Sequence, residues 1–225
     1  MENLWVVLLG APGCGKGTQS EFLIKDFGFS VISVGEVLRT RRNELVPGGN
    51  RTVGEVLDAG DLLPDSVILK LVESELDDFS AEARKNVLFD GVPRTIGQAD
   101  GLATMAAGFG RKIDLVLSFS IDDNVVIKRI LGRYSCAKCG KVFNDFFLRP
   151  DVEGVCDACG CTEFDRRTDD NEVALKHRLC GYHEKTGPLV DFYSGVGILR
   201  SVDAGCDFEC VKGAIYGILN EKEVG

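Results

Sequence analysis

The chain lacks a surplus of positive charge. Across 225 residues, 26 Lys and Arg face 35 Asp and Glu, a net charge of −9. Duplex nucleic acid and anionic membranes both require a basic footprint, so neither is expected as a partner. No apolar run approaches the roughly 18 residues that a membrane helix needs. Met1-Glu2-Asn3 carries no positive charge and the apolar run Leu4 to Leu9 is short, so no secretion signal is expected and the expected setting is cytoplasmic. Histidine is scarce. His177 and His183 stand in no ligand or triad spacing and read as helix-face residues.

What is present suits a folded enzyme-sized unit. Apolar residues make up 44% and charged residues 27%, close to globular averages, so wholesale disorder is excluded. The length is ample for a core without disulfide staples. The nine cysteines are odd in number and four form two C-x-x-C pairs, a pattern that favours metal ligation or free thiols over disulfides. Cys14, Cys180, Cys206 and Cys210 read as small buried or half-buried residues. The 27 glycines scatter along the chain and suggest turns and close backbone approaches.

Leu4-Trp5-Val6-Val7-Leu8-Leu9 is a continuous apolar run, the mark of a strand buried on both faces. Similar runs recur at Val31-Ile32, Val87-Leu88-Phe89, Ile113 to Ile121 and Leu199 to Val202. Helical spacing falls between them, over 18–27, 36–46, 52–60, 65–77, 96–107, 122–132, 170–184, 188–197 and 207–220. Strands alternating with helices predict an α/β fold, a parallel sheet flanked by helices. Two stretches break the alternation: 34–65, which reads as purely helical with turns at Pro47-Gly48-Gly49 and Gly60-Asp61, and 133–168, which holds the paired cysteines and no good helix. Each is expected to be a small insert on the α/β core.

Four features carry chemistry. Gly10-Ala11-Pro12-Gly13-Cys14-Gly15-Lys16-Gly17-Thr18 follows the first strand and opens a helix. Residues without Cβ bulk let backbone N–H groups turn toward phosphate oxygens, the helix N-terminus adds a favourable dipole, and Lys16 is placed to reach the β- and γ-phosphates. The generic loop puts Ser or Thr directly after the lysine; here Gly17 intervenes before Thr18. Asp90 ends the run Val87-Leu88-Phe89, where in an open parallel sheet it lies near the phosphate loop and can hold Mg²⁺ through water. Arg39, Arg94, Arg129, Arg133, Arg167 and Arg178 fall at element ends or in the inserts. Phosphoryl transfer calls for positioned cations more than for a base. Finally, Cys136-x2-Cys139-x16-Cys156-x2-Cys159 has the spacing of a closed four-thiolate zinc site, structural in character. Cys161 is a competing ligand, but its spacing from Cys159 does not suit simultaneous binding. A nucleic-acid-binding zinc module is the rival reading of these cysteines, and the net negative charge opposes it.

Over nearly its whole length the chain resembles the adenylate kinases, in the long-lid, zinc-bearing bacterial form. The resemblance rests on Gly10 to Gln19 with its Gly17-Thr18 order, Ile32 to Arg39, Asp58 to Leu63, Phe89 to Gln98, Gly132-Arg133, the four cysteines, and Arg167 to Glu172 followed by Arg178. It implies a P-loop core over 1–33, 65–132 and 169–225, a nucleoside monophosphate-binding insert over 34–64 and a zinc-binding lid over 133–168. The implied reaction is MgATP + AMP ⇌ 2 ADP, catalysed by a monomer. The implied catalytic residues are Lys16, Arg94, Arg133, Arg167 and Arg178. ATP would be held by Gly13, Cys14, Gly15, Lys16, Gly17, Thr18, Arg129, Arg133, Val142 and Phe143. AMP would meet Val34, Gly35, Arg39, Asp61, Leu62, Leu63, Gly91, Val92, Arg94, Gln98, Arg167 and Arg178, with Gln98 on its base, while Asp169 and Asp170 act in lid closure. Three positions depart from the family: Val34 where Thr is usual, Glu36 where Asp is usual, and Val92 where Phe is usual. They imply softened base choice. A pyrimidine-nucleotide kinase also lacks Thr at the Val34 position, so CMP or UMP is the alternative acceptor, although Thr95 and Gln98 match the adenylate form. The remaining alternative is a nucleotide-binding P-loop or zinc module without turnover, which has no use for so many arginines around an acceptor phosphate.

Overall fold

A computed structural model of the chain describes residues 3–223. Five parallel strands form the central sheet: β1 (Trp5–Gly10), β2 (Ser30–Ser33), β3 (Val87–Asp90), β4 (Leu115–Ser120) and β8 (Leu199–Asp203). Their order is β2-β3-β1-β4-β8. From β1 the chain runs first to one side, through β2 and β3, and then to the other, through β4 and β8. The carboxyl end of β1 is therefore the switch point at which open α/β sheets bind ligands.

The apolar runs are continuous because both sheet faces are covered. Trp5, Val6 and Val7 are fully buried, and Leu8 and Leu9 almost so. Alternate residues serve opposite faces. Trp5, Val7, Leu9 and Phe89 pack with α4 (Asp65–Asp78), α5 (Ile96–Gly108) and α8 (Pro188–Val196). Val6, Leu8, Leu88 and Leu117 pack with α1 (Lys16–Phe27) and α9 (Phe208–Glu223). Burial of a side chain this size contributes about 1.5–3 kcal/mol. α6 (Asp123–Leu131) and α7 (Glu172–Gly181) share a third, smaller cluster built on Val126, Ile130, Leu175 and Leu179.

The two interruptions take different forms. Residues 34–65 are not purely helical. The helix expected over 36–46 stops early: α2 is Val34–Thr40, and α3 begins only at Val53, running to Ala59. Between them Leu45 bridges Thr52, and Val46 N–H donates to Arg51 O at 2.9 Å, because Pro47-Gly48-Gly49 folds the chain back on itself. Thr52 and Glu55 form a reciprocal capping box that fixes the start of α3. The second interruption is a small antiparallel sheet of β5 (Arg133–Cys136), β6 (Val142–Asn144) and β7 (Phe164–Asp165), ordered β6-β5-β7.

The long helix expected over 170–184 also differs. Asn171 caps α7, accepting from Ala174 N–H at 2.9 Å. After Gly181 the turn widens into a π-helix over Tyr182–Thr186. No helix among the described residues is long and apolar enough to cross a membrane.

Candidate active site

The phosphate loop joins β1 to α1 at the switch point. Gly15, with φ of 106°, caps α1 in a conformation that favours glycine. No side chain satisfies the first N–H groups of α1, so they and the helix dipole face the cleft as a ready anion site. Lys16 Nζ donates to Gly10 O at 2.7 Å and Ala11 O at 3.0 Å, so the ammonium is held across the loop. Cys14 is buried behind it. Gly13, Gly15, Gly17 and Thr18 line one cleft of about 750 Å³, together with Asp90, Arg129, Arg133 and Val142. Asp90 pairs in register with Leu8, which brings its carboxylate to the loop's edge. Arg129 Nη1 donates to Cys14 O at 3.2 Å, and its guanidinium lies 5.9 Å from the centre of the Phe147 ring.

A second, smaller cavity opens under α2 and α3. Val34, Asp61, Leu63, Gln98 and Asp169 line it. Gly35, Arg39, Leu62, Gly91, Arg94 and Arg178 line both cavities, so the two meet at three guanidinium groups. Arg167 joins them from the larger cleft. This cluster is electrostatically uncomfortable without an anion. Burial and then the neighbouring Arg167 push Arg39 down to about 10. Burial followed by Arg178 lowers Arg94, and burial followed by Arg133 lowers Arg167. Arg178 is lowered by burial against the pull of Asp169.

Two of the five arginines around this junction have carboxylate partners. Arg133 makes a bidentate pair with Asp170 at 2.7 and 2.6 Å, and Arg178 reaches Asp169 at 3.2 Å. Among the described residues, Arg39, Arg94 and Arg167 have no carboxylate within ion-pair distance. Asp169 Oδ1 is buried with no hydrogen-bond partner. The arrangement offers charge and forked donors to a multiply charged, many-oxygened ligand.

Gln98 is 1% exposed. Its Oε1 accepts from Arg94 N–H at 2.7 Å, and its Nε2 donates to Asp65 Oδ1 at 2.8 Å. Val34 is buried on the same cavity wall. Val92 is a correction. It was expected to meet AMP and soften base choice, but its side chain is fully buried in the sheet core and lines neither cavity.

The four cysteines of the small sheet converge. The Sγ atoms of Cys136, Cys139, Cys156 and Cys159 all lie within 4.8 Å of one another, with Cys136–Cys159 at 3.5 Å and Cys139–Cys156 at 3.6 Å. Four sulfurs about 2.3 Å from a tetrahedral metal would sit roughly 3.8 Å apart, so the donor set fits a closed thiolate site. Gly140 and Gly160 adopt φ of 74° and 69° and close each knuckle. The Cys139 backbone N–H draws the Cys136 thiol down to about 6, while burial and the neighbouring thiols leave Cys139 and Cys159 raised. Cys161 lies outside the cluster and contacts Glu163 instead. Phe143 lines the larger cleft beside Val142, while its ring packs between Tyr134 and Phe164 in the core of this sheet.

Cys180 and Cys210, expected to be at least half-buried, are exposed. His177 and His183 do lie on the surface of α7 and the π-helix, but each has a partner: Ala59 O at 2.9 Å and Asp123 Oδ2 at 2.9 Å. Several participants escaped sequence reasoning. Asp65 follows a proline at a helix start and reads there as a cap. Thr186, whose hydroxyl donates to Arg94 O at 2.9 Å, sits in a π-turn with no sequence signature. Phe147 and Leu148 line the larger cleft, and their one signal is apolar bulk in an otherwise polar stretch.

A phosphate loop at the switch point, an adjoining carboxylate, and two cavities meeting at guanidinium groups define a P-loop phosphotransferase of the nucleoside monophosphate kinase class. Comparison with known proteins narrows this. The adenylate kinase family profile matches residues 8–198. The chain is 43% identical to an adenylate kinase of Zymomonas mobilis over 217 residues, 96% of each chain. It is 40% identical to one of Rhizorhabdus wittichii, covering 96% of this chain and 99% of the relative. For one of Citrifermentans bemidjiense the identity is 42%, covering 95% and 97%. The chain belongs to the adenylate kinase family, and its reaction is reversible phosphoryl transfer between ATP and AMP.

Proposed function

We propose that this transfer runs at the junction of the two cavities, with ATP in the larger cleft and AMP in the smaller one. The observation that carries the reading is that Arg39, Arg94 and Arg178 line both. A phosphoryl group passing from one nucleotide to the other must cross that point. Lys16 and the N–H groups of Gly13 to Thr18 hold the donor phosphates. Arg129 stacks beside the donor base, with Phe147 on the same wall. Arg39 and Arg94 hold the acceptor phosphate, and Arg133, Arg167 and Arg178 surround the group in flight. We assign 34–64 as the acceptor-binding insert, 133–168 as the lid, and the rest as the core.

The attacking atom is a phosphate oxygen, already mostly ionised at pH 7 because its second pKa is about 6. No general base is needed, so positioning and charge stabilisation do the catalysis. Asp90 would hold Mg²⁺ through water; when bound, the ion neutralises charge on the donor phosphates. Cys136, Cys139, Cys156 and Cys159 would hold Zn²⁺, which ties the lid together and takes no part in the chemistry. Nine cysteines with no disulfide among them suit a reducing compartment, and we assign the enzyme to the cytoplasm. Both cavities are built from one chain, so a monomer suffices.

Val34 deletes a hydroxyl from the acceptor pocket, a contact worth roughly 0.5–1.5 kcal/mol. Glu36 lines the larger cleft and not the smaller cavity, and Val92 is buried in the core, so of the three departures Val34 is the one that softens base choice. The test is a coupled ADP-formation assay with MgATP and AMP, dAMP, CMP, UMP or GMP. AMP should be the best acceptor. CMP or UMP outpacing AMP would replace the acceptor assignment, and no ADP from any acceptor would end the catalytic reading.

A further inference from the structure

Gln98 is held on two sides by groups of opposite hydrogen-bonding character. Arg94 N–H can only donate and takes one lone pair of Oε1, at 2.7 Å. The Asp65 carboxylate accepts one N–H of Nε2, at 2.8 Å. Asp65 is itself fixed, because its other oxygen accepts from Thr95 Oγ1 at 2.8 Å, and Thr95 in turn caps α5 by accepting from Gln98 N–H at 3.1 Å. Asp65 opens α4, whose Ile68, Leu71, Val72 and Leu76 are buried in the core. The clamp therefore joins two helices on the wall of the acceptor cavity.

An amide can normally turn over, exchanging its donor and acceptor. Here the exchange would set Oε1 against the Asp65 carboxylate and Nε2 against Arg94 N–H, two repulsive pairs at once. Together the two clamp bonds use one lone pair and one N–H of the Gln98 amide and leave one of each for the cavity it lines.

We propose that Asp65 is a positioning residue for acceptor specificity: it locks the Gln98 amide so that the cavity receives a base edge with a ring-nitrogen acceptor beside an amino donor. The proposal rests on the reading that the smaller cavity holds the acceptor base. Adenine presents N1 as acceptor and N6–H as donor, and cytosine presents the same order at N3 and N4. Hypoxanthine, guanine and uracil present the reverse, a ring N–H beside a carbonyl. With the amide locked, the reversed edges meet donor against donor and acceptor against acceptor. Such a mismatch is penalised more heavily than a missing contact, since buried polar groups are left unpaired.

The test compares AMP, inosine 5′-phosphate and purine riboside 5′-phosphate with MgATP. The last keeps the ring acceptor and lacks the amino group. For the wild-type protein kcat/KM should fall in the order AMP, purine riboside phosphate, inosine phosphate. Asp65→Asn keeps the size of the side chain and can donate to a turned Gln98, which removes one of the two barriers. The AMP-to-inosine phosphate ratio of kcat/KM should then fall about tenfold, chiefly through a lower KM for inosine phosphate. If Asp65→Asn depresses both acceptors equally, Asp65 only caps a helix and the proposal is overturned. Wild-type protein that uses inosine phosphate as well as purine riboside phosphate overturns it too, whether or not the variant folds. Failure of wild-type protein to phosphorylate AMP would instead strike the reading of the cavity itself.

Discussion

Arg39→Met should stabilise the free protein while crippling the enzyme. Arg39 is half-buried, faces Arg167 and has no carboxylate in ion-pair range among the described residues. Its fall from the ordinary guanidinium range to about 10 corresponds to roughly 3 kcal/mol, at about 1.4 kcal/mol per tenfold change in proton affinity. That figure is a ceiling, because solvent reaches part of the guanidinium. Methionine keeps a long apolar stem, so a net gain of about 1–2 kcal/mol is expected. For a protein of this size that raises Tm by roughly 2–8 °C. The sign with pH follows from the direction of the shift. A cation whose pKa is depressed by folding destabilises the fold in full below its folded value, and the penalty fades only as pH rises through about 10 toward its unfolded value. The gain should therefore be flat between pH 6 and 9, and should shrink in 1 M salt, which screens the repulsion. Calorimetry in phosphate- and sulfate-free buffer measures it. AMP should raise the wild-type Tm and leave the variant nearly unmoved, since a ligand stabilises only the state that binds it. Loss of a charged hydrogen bond to the acceptor phosphate should lower kcat/KM for AMP by about 10–100-fold. A variant that melts below wild type would refute the claim that burial and the neighbouring Arg167 make the Arg39 charge unfavourable in the free protein.

Lys16→Ala should lower kcat by about 10²–10³-fold, as removal of one preorganised donor commonly does, with the far-ultraviolet circular dichroism unchanged; near-wild-type turnover would remove Lys16 from the donor site. Cys156→Ser should abolish tight binding of one metal ion per chain and lower Tm, because the core of the small antiparallel sheet is little more than Tyr134, Phe143 and Phe164 around the thiolates. Metal analysis of reduced protein checks the first, and turnover retained at low temperature checks that the site is structural. Thr186→Val leaves Arg94 O without its 2.9 Å donor and should cost about 1–3 kcal/mol in urea denaturation, with turnover falling in step with the displacement of Arg94.

The sheet was legible in the sequence because a parallel sheet covered on both faces leaves a plain mark. Each strand is an unbroken apolar run, and all five runs fall within two residues of their strands' bounds, the widest difference being Ile113 to Ile121 against Leu115–Ser120. The helix errors share one cause. Arg41, Arg42 and Asn43 are all tolerated in helices, so nothing local stops a helix after Thr40. The stop comes from the Leu45–Thr52 bridge, a contact closed by the turn seven residues on. Likewise the π-turn at Tyr182 is made where α7 leads into α8, and its residue types do not distinguish it from an α-helix.

The site divides along the same line. The phosphate loop and the cysteine knuckles are local: backbone freedom, a lysine or a thiol at fixed spacing, and the next element suffice to read them. Asp65 and Gln98 lie 33 residues apart, and neither residue type says what the other does. Read alone, Gln98 is an amide that can present either face to a base, and Asp65 is a helix-start carboxylate. The hydrogen-bond ledger between them removes one of the two faces. Val92 shows the converse. Its difference from the family pattern looked like a change to the pocket, but full burial in the sheet core turns it into a packing change. Residue type at a motif position thus tells which chemistry is at hand. Which atoms remain free to perform it depends on partners that only the fold brings into contact.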